Sequence, residues 1–266
     1  MRKIAIICGG YSGEYEISIK SAKVVKKHLD SELYDSYLIV IKKGDWFCLT
    51  DDDKHIPVDK NDFSIIYDGA KITFDAVFNA VHGIPGENGE ILGYFEMLNI
   101  PYTSSGFTTC ALTFNKDLTK HIAATYGATV SPSVTINRGD FIHKKDIIET
   151  LGLPLFVKPT CNGSSVGVSK VNKEEDFDKA IEIAFAAGDQ IMCEKFVKGR
   201  ELACSVMEYK GKMMVLPLTE VVSKNEFFDY EAKYNGHSRE VCPAQIPNSL
   251  RDEIQEVSKK IYSHLG

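Results

Sequence analysis

Lys3-Ile4-Ala5-Ile6-Ile7-Cys8-Gly9-Gly10-Tyr11-Ser12-Gly13-Glu14 is the stretch that decides the class of fold. Lys3 to Cys8 is a short, almost unbroken apolar run, the pattern of a buried strand. Gly9-Gly10 lets the backbone turn tightly off that strand. Ile19, Ala22, Val25 and Leu29 then recur at helical spacing. A strand, a glycine turn and a helix in this order begin a parallel α/β sheet, whose ligand loops gather at the C-terminal ends of its strands. The turn is not G-x-G-x-x-G and no acidic residue is placed for a ribose, so a dinucleotide-dependent dehydrogenase is disfavoured. No G-x-x-x-x-G-K-[ST] occurs anywhere, which excludes a P-loop NTPase.

Further strands are expected at Tyr37 to Ile41 and Asp75 to Val81. Hairpin-like pieces lie between them, around Lys43-Gly44-Asp45 and Asp51-Asp52-Asp53. Ile91, Phe95 and Leu98 mark a helix, and Ile100-Pro101-Tyr102 a short strand. A second unit begins near Ser104. It has one helix on Ala111, Phe114, Leu118 and Ile122 that stops at Gly127, an extended stretch from Thr129 to Ile136, and a strand from Leu153 to Val157. Asn172 with Glu175 is a helix-start signature ahead of Phe177, Ile181 and Ala184, and Gln190 to Phe196 is a strand. A third unit opens with two long strands, Glu201 to Tyr209 and Lys212 to Val221, joined at Lys210-Gly211. Residues 223 to 248 read as a long polar and aromatic loop, and the chain closes on a helix carrying Leu250, Ile254, Val257, Ile261 and Leu265. The division expected is 1–104, 105–194 and 195–266.

The chain has 266 residues, 44% of them hydrophobic, with 31 Lys and Arg against 37 Asp and Glu, a formal charge of −6. That is the composition of a globular protein with a sizeable core. It argues against a nucleic-acid binder, which carries a basic excess. No apolar run approaches the ~18 residues of a membrane span, and the N-terminal run is too short for a secretory segment. The seven cysteines are scattered without CxxC spacing, so neither a zinc site nor a redox motif is indicated. Cys8, Cys193 and Cys204 sit in apolar runs and read as buried thiols of a protein in the reducing cytoplasm.

Five stretches carry groups suited to chemistry. Glu14, at the open edge of the sheet, either favours the helix N-terminus or holds an ammonium group. His82-Gly83-Ile84-Pro85-Gly86-Glu87-Asn88-Gly89 fixes an unusual backbone, with His82 at a strand end where it is either structural or faces an anionic substrate. In Lys158-Pro159-Thr160-Cys161-Asn162-Gly163-Ser164-Ser165-Val166-Gly167-Val168, a lysine rooted in an apolar strand is costly unless an anion meets it or it reaches water. The loop beyond offers amides and hydroxyls of the kind that cradle phosphate oxygens. Glu194 and Glu201 flank Phe196-Val197 at the end of another strand, an arrangement that can hold a base by backbone and a ribose by carboxylate. Asp229-Tyr230-Glu231-Ala232-Lys233-Tyr234 lies in the long loop and can close over a site or form an ordinary amphipathic turn.

Taken in order, the glycine loop with Glu14, the His82 block, Lys116, Lys158 with its Gly-Ser-Ser-Val-Gly loop, Glu194 with Glu201, and Tyr230-Glu-Ala-Lys-Tyr234 resemble the D-alanine–D-alanine ligases of the ATP-grasp superfamily, over essentially the whole chain. One departure is Leu92, where the family block carries a polar residue, and a packing adjustment is expected there. The resemblance implies an α/β fold of the ATP-grasp type, with an N-terminal parallel-sheet, Rossmann-like domain and an incomplete C-terminal domain. It implies ATP-dependent joining of two D-alanines through an acyl phosphate for peptidoglycan precursors.

By the same resemblance, Lys116 and Lys158 meet the phosphates of ATP under Ser164, Ser165 and Gly167. Glu194, Phe196 and Val197 line the adenine pocket, and Glu201 takes the ribose. Glu14 binds the ammonium of the first D-alanine with His82 nearby. Ser164 and Tyr234 complete a hydrogen-bonded set with Glu14, and Lys233 reaches the γ-phosphate. The family's ligands for Mg²⁺ or Mn²⁺ fall beyond residue 266, so the chain is expected to be C-terminally truncated, to hold no metal ligand of its own, and to be inactive alone. A homodimer without nucleic-acid or membrane partners is implied. The competing readings are a D-alanine–D-lactate ligase, another ATP-grasp carboxylate–amine ligase, and a non-catalytic nucleotide-binding module.

Overall fold

The computed structural model describes residues 1–223 and 238–265. The chain separates into two compact units, Met1–Thr113 and Phe114–Gly266.

The first unit is built on one seven-stranded sheet. Its strands are β1 (Arg2–Gly9), β2 (Tyr34–Lys42), β3 (Asp45–Leu49), β4 (His55–Asp59), β5 (Ser64–Tyr67), β6 (Ala70–Ile72) and β7 (Ala76–Asn79), in the spatial order β6-β5-β4-β3-β2-β1-β7. The parallel arrangement expected from the sequence holds for β2, β1 and β7. The sheet as a whole is mixed, because β2 to β6 follow one another antiparallel. The reason is connection length. Helix α1 (Tyr15–His28) carries the chain back to start β2 beside β1, whereas the Lys43-Gly44 turn is too short for anything but a reversal. β1 is apolar throughout because both its faces are covered. Ile4, Ile6 and Cys8 pack with Ala22 of α1, while Ala5 and Ile7 pack with Ile91, Leu92 and Phe95 of α2 (Glu90–Met97). Leu92 is fully buried in that second layer, so the departure from the family pattern is absorbed as core packing.

The boundary between the units brings a correction. The helix expected across Ala111 to Ile122 is two, α3 (Phe107–Phe114), which ends the first unit, and α4 (Lys116–Thr125), which begins the second. Asn115 between them is extended, and its side chain accepts from the amides of Asp117 and Leu118 as the cap of α4. A helix absent from the sequence reading, α5 (Lys144–Leu151), buries Ile147 and Leu151. Together with α6 (Phe177–Ala186) it packs on an antiparallel sheet of β8 (Ser133–Asn137), β9 (Leu155–Pro159), β10 (Ser169–Val171) and β11 (Gln190–Lys195), in the order β10-β9-β11-β8. Asn172 does not cap: a short 3₁₀ turn, Glu174–Asp176, precedes α6 with no side-chain cap.

The two long strands expected beyond Glu201 are each broken. β12 (Glu201–Ala203) pairs with β15 (Thr219–Ser223), and β13 (Val206–Tyr209) pairs with β14 (Lys212–Val215). The pairings differ by one residue in register, Ala203 opposing Thr219 but Val206 opposing Val215, which is the signature of a bulge between them. The expected turn is present, with Lys210 and Gly211 both at positive φ (52° and 73°). Part of the expected long loop is strand β16 (Ser238–Val241), paired with β15. Helix α7 (Asn248–Leu265) closes the chain as expected. All seven cysteines are free thiols, Cys8 and Cys193 buried and pushed by burial up to about 12, but Cys204 is only half-buried.

Candidate active site

In β9 the side chains alternate between two environments. Leu155, Val157 and Pro159 are buried, with Leu155 and Val157 packed in the core beneath α6. Phe156 and Lys158 therefore point to the opposite face. On β11, Ile191 and Cys193 go into the same core, which leaves Met192 and Glu194 on the Lys158 side. Met192 stands opposite Lys158 and Glu194 opposite Phe156, so Lys158 and Glu194 are diagonal neighbours across the ladder, within reach of long side chains. Ser133 of β8 opposes Glu194 from the other side.

This face borders a cleft of about 510 Å³. Among the residues lining it are Lys116, Phe156, Lys158, Glu194, Val197 and Glu201, with Ser164 and Ser165 from the β9–β10 loop. Helix α4 is attached to the sheet through polar contacts. The Thr135 hydroxyl donates to Asp117 at 2.9 Å, and the Lys116 amide donates to the Thr160 carbonyl at 2.9 Å. The Lys116 ammonium donates to the Asn162 carbonyl at 2.6 Å, so it stands at the root of the glycine-serine loop.

The Glu194 carboxylate is held on both oxygens. Oε1 accepts from Lys120 at 2.7 Å and from the Ser131 hydroxyl at 2.6 Å, while Oε2 accepts from Lys158. Burial alone would raise its pKa, but the bonds from Lys120, Lys158 and Ser131 outweigh that and bring it from 4.5 down to about 2. Two lysines around one carboxylate leave an excess positive charge at the cleft wall, which suits an anionic ligand.

Ser164 and Ser165 occupy left-handed backbone (φ 47° and 57°), an uncommon state for residues with a Cβ that concentrates where a loop is shaped for a ligand. Gly167 does a different job. It does not line the cleft, and a Cβ there would lie 2.6 Å from Ala187 Cβ, so it lets the loop pack back on the sheet. Phe196 also stands behind the lining, its ring 5.9 Å from that of Phe156 and under the Lys170 ammonium. The sequence reading thus brings Lys116, Lys158, Ser164, Ser165, Glu194, Val197 and Glu201 to one cleft. It missed Lys120, Ser131 and Phe156, although Lys120 lies four residues from Lys116, on the same helix face.

Glu14 and His82 belong to the first unit. The amide of Tyr11 donates to the Ile84 carbonyl at 2.7 Å, and the Ser12 hydroxyl donates to the His82 carbonyl at 2.9 Å, which joins the two glycine loops beyond β1 and β7. Glu14 is buried at the head of α1, yet its side chain makes no cap hydrogen bond there. A Cβ on Gly83 would lie 2.8 Å from Ser12 Oγ and 3.8 Å from Glu14 Oε2, so the absence of a side chain at Gly83 lets the loops close around the carboxylate. His82 Nε2 is 3.1 Å from the Ser21 hydroxyl. Lys233 and Tyr234 lie outside the described residues. Among the described residues, no three His, Cys, Asp or Glu side chains are grouped to hold a metal ion, and no helix is long and apolar enough to cross a membrane.

An antiparallel sheet presenting a lysine-rich cleft beneath a glycine-serine loop, following a mixed-sheet α/β unit, defines a protein of the ATP-grasp class. Residues 3–105 match the family model for the D-ala D-ala ligase N-terminus and residues 122–266 that for the D-ala D-ala ligase C-terminus. The protein named D-alanine–D-alanine ligase in Flavobacterium johnsoniae is 45% identical over 265 residues, covering all of this chain and 82% of that one. Among solved structures, the D-alanyl-alanine synthetase A of Vibrio cholerae superposes with a TM-score of 0.88 at 31% identity, over 99% of this chain and 81% of that one. The VanG D-Ala:D-Ser ligase of Enterococcus faecalis superposes with a TM-score of 0.83 at 30% identity, over all of this chain and 83% of that one. The chain belongs to the D-alanine–D-alanine ligase family.

Proposed function

We propose that the chain binds ATP and D-alanine for the joining of two D-alanines into D-alanyl-D-alanine, through an acyl phosphate, as a step toward peptidoglycan precursors, and that turnover needs metal ligands which its described residues do not supply. The observation that carries this is the cleft of Lys116, Lys158, Ser164 and Ser165 in a chain whose whole length aligns with 82% of such a ligase. In this reading Lys116 and Lys158 meet the phosphates of ATP under the serine loop, Glu194 and Val197 face the base with Phe196 behind them, and Glu201 takes the ribose. Glu14 receives the ammonium of the first D-alanine with His82 beside it. Ser164 and Tyr234 extend that set, and Lys233 approaches the γ-phosphate. The division into 1–104, 105–194 and 195–266 is retained as a proposal, supported by the separate sheets on either side of residue 195.

The chemistry follows from these groups. A carboxylate is a poor electrophile, so it must first become an acyl phosphate, which the free amine of the second D-alanine then attacks. The lysines neutralise charge that builds on the transferred phosphoryl oxygens. The covering loop keeps water from the acyl phosphate. Mg²⁺ or Mn²⁺ would add further neutralisation, but the described residues offer no carboxylate set for it, and no step here is routed through a metal. Seven free thiols suit action in the cytoplasm, and assembly as a homodimer is part of the proposal.

A thermal-shift titration tests the reading. ATP raises the melting temperature of the wild type, D-alanine adds to the shift, and Lys158→Ala abolishes the ATP response. A wild-type chain that responds to neither ligand overturns the proposal.

A further inference from the structure

Lys120 is almost enclosed, its side chain 16% exposed, and its ammonium donates at hydrogen-bond distance to the Ser131 carbonyl (2.7 Å), the Ser133 hydroxyl (2.8 Å) and Glu194 Oε1 (2.7 Å). An ammonium has three protons, and all three have short acceptors within the protein. Lys120 therefore has no good donor left for a ligand, and it does not line the cleft. Lys158 is its opposite. It lines the cleft, and its hydrogen bond goes to Glu194 Oε2, which leaves protons facing the open side. The two lysines share one carboxylate, one from behind and one from the cleft.

We infer that Lys120 is a positioning residue for nucleotide binding: it pins and half-neutralises Glu194 from behind, so that Lys158 is held in place without losing its charge to the carboxylate. The inference rests on the nucleotide reading of this cleft. Without Lys120, the full charge of Glu194 falls on Lys158, and Oε1 keeps only Ser131 to fix its direction. A carboxylate that turns, or that draws Lys158 toward itself, weakens the grip on phosphate.

The test is calorimetric titration of ATP into the wild type, Lys120→Met, Lys120→Arg, Glu194→Gln and the double variant Lys120→Met/Glu194→Gln. Lys120→Met keeps the length of the side chain and removes its charge. It is expected to weaken ATP about tenfold, as coupled neighbours in one polar network do. Lys120→Arg recovers most of the loss. In the Glu194→Gln background, Lys120→Met changes affinity less than about twofold, because its effect passes through the carboxylate. A role confined to stability would lower the melting temperature and leave these affinities in place. Should Lys120→Met fail to fold, Ser133→Ala removes one anchor of the same ammonium and is expected to weaken ATP in the same direction, by less. A wild type that binds ATP and is matched by both Lys120→Met and Ser133→Ala overturns this inference alone, as does full additivity in the double variant. A wild type that does not bind ATP overturns the nucleotide reading and this inference with it.

Discussion

The Ser12 hydroxyl donates to the carbonyl oxygen of His82 at 2.9 Å and accepts from the Glu14 amide at 3.3 Å. One side chain thus ties together the two loops that carry the proposed amino-acid site, seventy residues apart in sequence. Ser12→Ala removes this tie but leaves the backbone bond from Tyr11 to Ile84. The expected outcome is a loss of about 1 kcal/mol in stability and a clear loss of D-alanine affinity with ATP affinity retained, read by titrating each ligand separately. Equal losses for both ligands would contradict the separation.

Gly10 has φ +102°, and a Cβ there would lie 2.8 Å from the Ile84 carbonyl oxygen and 2.9 Å from Val81 Cγ1. A side chain would collide with the loop above, and that backbone conformation is one that residues with a Cβ rarely adopt. Gly10→Ala is expected to cost roughly 2–4 kcal/mol, measured by urea unfolding. Gly13, which has open space around it, serves as the control, and Gly13→Ala is expected to change stability little.

Leu92 fills the layer between α2 and the sheet with no solvent exposure. Leu92→Ala is expected to cost about 2–5 kcal/mol by leaving a cavity, again by urea unfolding. A loss below about 1 kcal/mol would mean that the layer collapses to refill the space.

Glu194 titrates at about 2 in the folded chain, against 4.5 for an unperturbed carboxyl. A group with a depressed folded pKa contributes stability that is fully present above the unfolded value and is lost as pH falls toward the folded one. The wild type is therefore expected to lose stability between pH 4.5 and about 2 partly through this residue. Glu194→Gln flattens the dependence in that window, followed as urea midpoint against pH. Parallel curves for the two proteins would sink the assignment.

Much of the architecture was legible because burial imposes periodicity. β1, α1 and β11 fall where apolar spacing puts them, and Lys158 stood out as a lysine rooted in an apolar strand ahead of a glycine-serine loop, whereas Glu194 at its strand end gained a cleft role only from the family resemblance. Two kinds of feature were not legible. The break at Asn115 is set by one side chain capping its own helix, which apolar spacing runs straight through. Lys120 and Ser131 matter only because three strands and a helix bring them to one carboxylate, and contacts made across 74 and 63 residues leave no local pattern. The split of the long strands after Glu201 is likewise a one-residue slip in register that residue types alone do not announce.

The antiparallel half of the first sheet has a practical use. β6 is its outermost strand, and the Asp68-Gly69 turn before it stands at the rim, with open space around Gly69. The loops proposed to hold the amino acid spring from β1 and β7, at the other end of the strand order. A fluorophore or affinity tag grafted into that turn would report on the protein while leaving the proposed ligand loops untouched.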